Sequence, residues 1–326
     1  MASKLIGIEI GSTTVKLTVV KGNQVLAMVS ARMPEGLVRE GHVTTPAAMT
    51  TFLKNMMKEN GIRGGQCALV LPPQIAVCQH VTLPVMSEAE LKLNLPFEFK
   101  DYVGKDAEEY DYDYIVVGIH DGVMDLYAAA ARRSVIEEYW SIFKKAGMTL
   151  KLAMPAEMAW LNLIARQENL PKKLAIVDIG HNSTRVNIFA DGNFVMGKDI
   201  EFAGQLFDET IAAETHVDAH VARTQKEANI NKIQSAEFMQ QPYGALAIEI
   251  MKTVNFYNYS NSAEDKPLQD LYYCGGGSMI ETLRTAIIKA TGLTPHHITR
   301  LLNLEGVSGD AALTCGIAAG AAVQTV

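Results

Sequence analysis

Apolar residues recur along this chain with two periods, one typical of strands and one typical of helices. The first part of the chain has a pattern that predicts three strands, a helix and a further strand, over residues 4–10, 14–21, 24–32, 46–60 and 67–71. The helix carries Met49, Leu53 and Met56 on one face, and Gly61 is a residue type that commonly ends a helix. A second strand pair follows from Ala175, and the remaining pattern predicts a helical region, a strand and a helix over 204–259, 270–274 and 279–291.

Residues 73–154 have a different pattern. Ser87 and Glu90 have the spacing of a capping box at the start of a helix. Asp121-Gly122 is a good hairpin turn between two predicted strands. The other predicted elements of this segment are strands over 76–83, 112–119, 123–130 and 150–154 and a helix over 134–146. We therefore predict a compact inserted α+β subdomain at 73–154.

The most informative pattern is a strand with an acid, a glycine and a run of hydroxyl or amide residues, and it occurs twice. The first copy consists of Glu9, Gly11, Ser12, Thr13, Thr14 and Lys16, and the second of Asp178, Gly180, Asn182, Ser183 and Thr184. Backbone N–H groups and hydroxyls of such turns bind phosphate, and an acid beside them can hold a metal-bound water. The repeat predicts two similar α/β lobes that face one cleft. Lys16 could reach a phosphate or a peptide groove, and the alternative is that it simply points outward from its strand.

A third glycine-rich element follows the predicted strand at 270–274. Its residues are Gly275, Gly276, Gly277 and Ser278, and they precede a helix. The glycines allow a flat ring or a phosphate to approach the backbone, although a tight strand-to-helix turn is an equal alternative for this element alone. Glu249 and Lys252 share a helix face, for which a solvated surface pair is the favoured interpretation when these residues are taken alone.

Charge and cysteine content narrow the possible functions. The 326 residues have a net charge of −7. This negative charge does not favour a nucleic acid or an anionic membrane as the main partner. The four cysteines form no C-x-x-C pair, which argues against a zinc knuckle, a redox site or an iron–sulfur cluster. We find no signal peptide and no apolar run long enough to span a bilayer, so we expect a cytoplasmic protein without direct membrane insertion.

Two histidine pairs and an acidic segment are weaker candidates for functional sites. His216 and His220 lie four apart on a predicted helix, but no third metal ligand is evident, so a solvated helix face is the better interpretation. His296 and His297 are predicted to lie in a loop and receive no role. The acids of 106–113 are predicted to form a solvated loop that enters a strand, with a docking edge as the less favoured alternative.

Taken in order, the two hairpins and the glycine loop resemble the actin-like ATPase superfamily, which includes actin, Hsp70 chaperones, sugar kinases and FtsA. The resemblance implies two actin-like (ribonuclease H-like) lobes around a nucleotide cleft, with ATP and Mg²⁺ as cofactors. It implies phosphate contacts from the hairpin residues Gly11, Ser12, Thr13, Thr14, Lys16, Gly180, Asn182, Ser183 and Thr184. It implies adenosine contacts from Glu249, Lys252, Thr253 and Gly275 to Ser278, and Mg²⁺ held through water by Glu9 and Asp178.

The chain departs from the superfamily in ways that bear on catalysis. Glu9 stands where most members have Asp, and the longer side chain can disturb the octahedral shell that Mg²⁺ requires. His181-Asn182-Ser183 replaces a glycine-containing turn. Glu157 is the candidate catalytic acid on the first hinge helix, and an exposed acid in the first helical turn after Pro155 is an equal alternative. We expect ATP binding with slow or negligible hydrolysis.

A narrower resemblance, to the PilM family of type IV pilus assembly, covers nearly the whole chain. It rests on the first hairpin, on Pro34-Glu-Gly-Leu-Val, on Val81-Thr-Leu-Pro and on Ala130-Ala-Arg-Arg133. It implies a cytoplasmic adaptor that is recruited to the inner membrane by binding the N-terminal tail of a PilN-like protein, in a groove between the first lobe and the inserted subdomain. The pilus assembly ATPase and a second copy of the chain are further candidate partners.

The resemblance also implies domain boundaries. The first lobe would be 1–72 plus 155–170, the inserted subdomain 73–154, and the second lobe 171–326 with a helical subdomain at about 204–262. A C-terminal helix, 311–326, could pack back on the first lobe. The alternatives are a sugar or acid kinase of the same superfamily, for which we find no convincing base, and an FtsA-like filament-forming protein.

Overall fold

The computed structural model describes residues 4–261, 266–307 and 309–323. The chain forms two compact units. The first contains Met1–Gln167, Asn303–Val307 and Ile317–Val326, and the second contains Glu168–Leu302 and Ser308–Gly316. Among the described residues, the structure contains no helix with the length and apolar character needed to cross a membrane.

The first unit is built on a five-stranded sheet. The strands of this unit are β1 (Lys4–Ile10), β2 (Thr14–Lys21), β3 (Gln24–Arg32), β4 (Val38–Arg39), β5 (His42–Val43), β6 (Gln66–Leu71), β7 (Ala76–Pro84), β8 (Tyr110–His120), β9 (Val123–Arg132) and β10 (Thr149–Pro155). The order in the main sheet is β10-β6-β1-β2-β3, with β1 to β3 antiparallel and β6 and β10 parallel to β1. Parallel neighbours require crossover connections, and helices provide them.

The helices of the first unit are α1 (Pro46–Glu59), α2 (Glu88–Glu98), α3 (Lys100–Val103), α4 (Arg133–Lys145) and α5 (Ala156–Ile164). Helix α1 begins at Pro46, where the fixed φ of proline suits the first helical turn, and Gly61 follows it with φ +64°. Helices α1 and α4 contribute Met49, Leu53 and Phe143 to the core that also contains the inward residues of the main sheet.

The inserted part of the first unit is a three-stranded antiparallel sheet with the order β7-β9-β8. The predicted capping box is present, because Ser87 Oγ accepts from the Glu90 N–H and the Glu90 carboxylate accepts from the Ser87 N–H. The predicted turn between β8 and β9 is also confirmed, with positive φ at Asp121 and Gly122. One face of this sheet packs on α2 and α3 through a small core that includes Leu95, Phe99 and Ala128.

The structure differs from the predicted subdomain 73–154 at its C-terminal end. Strand β10 pairs with β6 in the main sheet, and Tyr139 on α4 is buried in the main core with its hydroxyl donating to the Gly41 carbonyl at 3.0 Å. Helix α4 is thus the crossover that brings β10 parallel to β6. A short apolar strand carries no local mark of the sheet it will join, which is why the sequence pattern assigned it to the inserted subdomain.

The second unit repeats the plan of the first. Its strands are β11 (Lys173–Ile179), β12 (Thr184–Ala190), β13 (Asn193–Ile200), β14 (Asp270–Cys274) and β15 (Thr294–His297), in the order β13-β12-β11-β14-β15. The helices are α6 (Gly204–Thr215), α7 (Ala219–Glu227), α8 (Gln240–Ser260), α9 (Glu281–Thr291) and α10 (Thr299–Leu302). Helix α11 (Gly309–Ala322) begins in this unit, and its residues from Ile317 onward belong to the first unit. The prediction of two similar lobes from the repeated hairpin is therefore confirmed.

The two histidine pairs lie elsewhere than predicted. His216 ends α6 in a left-handed conformation (φ 56°), and α7 begins only at Ala219, so His216 and His220 do not share a helix. His296 and His297 form the end of strand β15 rather than a loop. The Nε2 atom of His296 lies 2.6 Å from Asp270 Oδ1 on the neighbouring strand. These residues form a strand because they pair with β14, although Pro295 locally disfavours a strand.

The acids of 106–113 are likewise more structured than predicted. A short 3₁₀ turn over Ala107–Glu109 leads directly into β8 at Tyr110. Arg132 Nη1 pairs with Glu109 at 2.7 Å, and Arg133 Nε pairs with Asp111 at 2.8 Å. These exposed pairs tie the start of β8 to the end of β9.

Glycines allow the second half of α11 to approach β1 and α5 within the first unit. A Cβ atom on Gly7 would lie 1.8 Å from the Ala318 carbonyl oxygen, and one on Gly320 would lie 2.1 Å from the Ala159 carbonyl oxygen. Asn162 on α5 is buried and donates from Nδ2 to the Gly320 carbonyl at 3.1 Å. The backbones of these three elements are thus in direct contact, and no side chain fits between them.

We predict that Gly7→Ala lowers the free energy of unfolding by about 1–3 kcal/mol or more, because the added methyl group forces α11 away from β1. Gly118→Ala is the matched control, since it also lies in a strand but a Cβ there meets nothing within 4 Å. Urea denaturation of both variants measures the difference. Equal midpoints for Gly7→Ala and Gly118→Ala would contradict the close contact.

Candidate functional site

The first hairpin turn connects β1 to β2 at the end of the central strand of its sheet. The Gly11 N–H donates to the Thr14 carbonyl at 2.9 Å, which closes a tight turn over Ser12 and Thr13. Residues 11–14 are half-buried, so their backbone and hydroxyl groups remain partly accessible. The predicted phosphate-binding residues of this hairpin are therefore together on one turn, and their contact with phosphate stays a prediction.

Glu9 and Lys16 are directly opposite each other on β1 and β2. Lys16 Nζ lies 2.5 Å from Glu9 Oε1, and the two side chains are only 15% and 17% exposed. The predicted metal-linked acid and the predicted phosphate-binding lysine thus neutralise each other. Lys16 is not simply an outward-pointing strand residue, because its ammonium group is directed to this carboxylate.

The second hairpin turn has the same internal hydrogen bond, since the Gly180 N–H donates to the Ser183 carbonyl at 3.0 Å. Asn182 is exposed at the tip and Ser183 is half-buried. Thr184 differs from the prediction, because it is completely buried and its hydroxyl donates to the Phe202 carbonyl at 2.8 Å. Its side chain therefore holds the hairpin to the segment before α6 and does not present a hydroxyl for phosphate.

The glycine loop lies beside the second hairpin, because β14 pairs in parallel with β11. Gly275 has φ +82°, and a Cβ there would lie 2.4 Å from Asp178 Oδ1. A Cβ on Gly277 would lie 2.3 Å from Ile179 Cγ2. These two glycines are thus required by close packing on β11.

Gly276 is not closely packed as Gly275 and Gly277 are, because a Cβ there would meet nothing within 4 Å. The buried Ser278 hydroxyl donates to the Gly275 carbonyl at 2.7 Å and fixes the shape of the loop. The loop therefore presents open space at one glycine only, which is where a flat ligand could approach the backbone.

The remaining predicted residues lie on helices. Lys252 Nζ lies 2.6 Å from Glu249 Oε1 on α8, and Thr253 is buried with its hydroxyl donating to the Glu249 carbonyl. Glu157 is only 5% exposed in the first turn of α5, so the alternative of an exposed helix acid is wrong. The functional roles of these four residues stay predictions. No group of three or more His, Cys, Asp or Glu side chains suited to a metal occurs in the part of the chain that the structure describes.

Sequence reasoning missed a buried ion pair next to the second hairpin. Asp208 Oδ1 on α6 lies 2.5 Å from Lys226 Nζ on α7, and His181 Nδ1 lies 3.7 Å from Asp208 Oδ2. Burial raises the pKa of Asp208 and lowers the pKa of Lys226, because desolvation disfavours both charged forms while their mutual attraction opposes the shift. In the sequence, Asp208 and Lys226 look like ordinary charged residues on the surface of a helix. No local pattern could therefore have predicted that they form an ion pair.

The first unit also contains a cavity of about 150 Å³ between its main sheet and the inserted sheet. The free edge strands β8 and β10 both contribute to its wall, through Asp113 to Ile115 and Leu152 to Pro155. Cys78, Ala129 and Asp113 are cross-strand neighbours in one row of the inserted sheet, and all three line the cavity. Met158 and Asn162 of α5 form part of the opposite wall. The cavity is mainly apolar with few polar groups.

The fold of this chain is similar to the folds of several solved structures. It superposes on a chain of the PilM-PilN type IV pilus biogenesis complex with a TM-score of 0.85 at 21% identity, covering 99% of this chain and 98% of that one. It superposes on the ethanolamine utilization protein EutJ from Carboxydothermus hydrogenoformans with a TM-score of 0.64 at 13% identity, covering 99% and 90%. MreB5 of Spiroplasma citri, solved with bound AMPPNP, gives a TM-score of 0.51 at 13% identity, covering 93% of both chains.

These similarities confirm that the chain has the actin-like ATPase fold. The family model for the type IV pilus assembly protein PilM matches residues 7–305, which include both hairpins, the inserted sheet and the glycine loop. The chain therefore belongs to the PilM family of type IV pilus assembly proteins.

Proposed function

We propose that this protein is an ATP-binding adaptor of a type IV pilus or related secretion platform at the cytoplasmic face of the inner membrane. Its cavity in the first unit would bind the N-terminal cytoplasmic tail of a PilN-like membrane protein. The single observation that carries the proposal is this cavity, because two free sheet edges and an apolar wall are what an extended peptide needs. A related chain in a PilM-PilN complex supports the class of partner.

The mode of peptide binding follows from the walls of the cavity. Strands β8 and β10 are the edge strands of their sheets. An edge strand presents a row of backbone N–H and C=O groups with which a further strand can pair. An extended peptide that pairs with such an edge gains main-chain hydrogen bonds, while its alternate side chains enter pockets. The volume of about 150 Å³ accommodates an aliphatic side chain of that peptide. Contact with the membrane would then run through the partner.

The nucleotide part of the proposal rests on the two hairpin turns and the glycine loop. Their backbone N–H groups would hold the phosphates of ATP, and the open space at Gly276 would receive the adenosine. Mg²⁺ would neutralise the phosphates. Because Lys16 occupies the Glu9 carboxylate, we expect hydrolysis to be slower than the roughly 1–100 s⁻¹ of ordinary kinases. A small-molecule kinase is not favoured, since the family match covers the chain from residue 7 to 305.

We predict that a peptide from the PilN-like partner's N-terminal tail binds with saturable one-to-one stoichiometry. Calorimetric titration with and without Mg-ATP measures this. Ala129→Trp should weaken binding by about tenfold or more, because the indole fills the cavity. Ala48→Trp on the exposed face of α1 is the control and should bind as the wild type does. The peptide-binding proposal fails if the folded wild type shows no binding, or if both variants bind equally.

Cys78 provides an independent readout of the same cavity. It is half-buried at the cavity wall, whereas Cys67, Cys274 and Cys315 are buried. Burial raises the pKa of the Cys67 thiol to about 12, which suppresses its reactive thiolate. We predict that maleimide labels Cys78 first and that the peptide slows this labelling. Labelling of Cys78 at the same rate with saturating peptide would place the peptide elsewhere.

We predict that Mg-ATP raises the melting temperature, since a ligand at 100 times its Kd stabilises the folded state by about 2.7 kcal/mol. Gly276→Asp should abolish the rise without unfolding the protein, because the side chain enters open space and places a negative charge at the nucleotide. Gly309→Asp, at another exposed glycine with open space, should keep the rise. A full thermal shift in Gly276→Asp would rule out this site.

A further inference from the structure

The Asp208–Lys226 ion pair lies beneath the second hairpin. Asp208 is 3% exposed and Lys226 is 7% exposed. Lys226 Nζ also lies over the Phe207 ring at 5.9 Å from its centroid. Removing two charges from water costs several kcal/mol per ion, and a buried pair often stabilises a fold no better than apolar residues of the same volume. A contribution to general stability is therefore a weak explanation for this pair.

Hydrogen bonds connect the pair to the hairpin turn through the first turn of α6. Lys226 Nζ donates to the Gly204 carbonyl at 2.8 Å. The Gly204 N–H donates to the Gly180 carbonyl at 3.2 Å, and the Gln205 N–H donates to the His181 carbonyl at 2.7 Å. The first turn of α6 is thus held by Lys226 on one side and holds the hairpin on the other. Asp208 completes the arrangement from the same helix, since it contacts both Lys226 and His181.

These bonds determine where the hairpin N–H groups point. In a planar trans peptide the C=O and N–H bonds point in opposite directions. The carbonyls of Gly180 and His181 point to α6, so the N–H groups of the same two peptide units, which belong to His181 and Asn182, point away from α6. Successive N–H groups that are directed to one side are what an anion-binding turn requires.

The hairpin and the first turn of α6 are also in close contact. A Cβ atom on Gly204 would be 3.3 Å from the Gly180 carbonyl oxygen and 3.4 Å from His181 Nδ1. A shift of α6 relative to α7 would therefore be transmitted to the turn.

We propose that Asp208 and Lys226 are positioning residues, which hold the first turn of α6 so that the second hairpin keeps its N–H groups aimed at nucleotide phosphates. This inference rests on the proposed ATP binding. It links the buried pair to binding of the phosphate groups of ATP. It does not link the pair to binding of adenosine, because the predicted adenosine contacts come from α8 and the glycine loop. Loss of the pair should accordingly weaken phosphate binding selectively.

The test is the double variant Asp208→Leu/Lys226→Met, which removes both charges together and leaves neither one buried alone. Its affinities for Mg-ATP and for adenosine are measured by titration, with thermal melting as the check on folding. We expect the Kd for Mg-ATP to rise about tenfold, equivalent to about 1.4 kcal/mol, while the Kd for adenosine changes by less than about twofold. Glu88→Leu/Lys92→Met, at an exposed pair on α2, is the matched control and should leave both affinities unchanged.

The outcomes separate the two proposals. If the wild type does not bind Mg-ATP, the proposed nucleotide binding fails and this inference fails with it. If the wild type binds and the folded double variant binds Mg-ATP equally well, or loses Mg-ATP and adenosine to the same extent, only the positioning role is overturned.

A second variant decides the case if the double variant does not fold. His181→Ala removes the contact with Asp208 from a side chain that is 20% exposed, so the core is retained. We expect Mg-ATP to bind about threefold more weakly and adenosine to bind as before. An unchanged Mg-ATP affinity in His181→Ala would overturn the positioning role.

Discussion

The structure depends on two central strands that are hydrogen-bonded on both sides. Strand β1 pairs with β2 and β6, and β11 pairs with β12 and β14. A shift of either strand by one residue would break two ladders and turn its apolar residues to the wrong face. The residues at the carboxyl end of each strand are therefore fixed, and both hairpin turns begin there. The same pairing sets β14 beside β11 and brings the glycine loop next to Asp178.

The two hairpins share a backbone plan but differ in their electrostatics. In the first, Glu9 and Lys16 form a pair across the strands, and the two side chains are 15% and 17% exposed. In the second, Asp208 and Lys226 form a pair that is almost completely buried, and separating buried charges is expensive. The two hairpins therefore differ in how far the ion pair beside each turn is buried.

The two faces of the inserted sheet have different neighbours. One face packs on α2 and α3, and the other lines the cavity together with β10 and α5. The small side chains Ala129 and Ala153 leave the space that larger residues would fill. Because β10 belongs to the main sheet, the cavity is bounded by the main sheet and the inserted sheet. A peptide bound there would contact the inserted sheet and the main sheet simultaneously.

What the sequence determined by itself was local. The hairpins, the capping box at Ser87, the Asp121-Gly122 turn and most element boundaries depend on residues close in the chain, and the repeated hairpin was enough to predict two similar lobes. Tertiary structure decided everything that depends on distant partners. It placed β10 in the main sheet, made a strand of His296 and His297, buried Glu157 and Thr184, and paired Asp208 with Lys226. Desolvation and strand pairing depend on which elements meet in space, and a residue's neighbours in the chain do not carry that information.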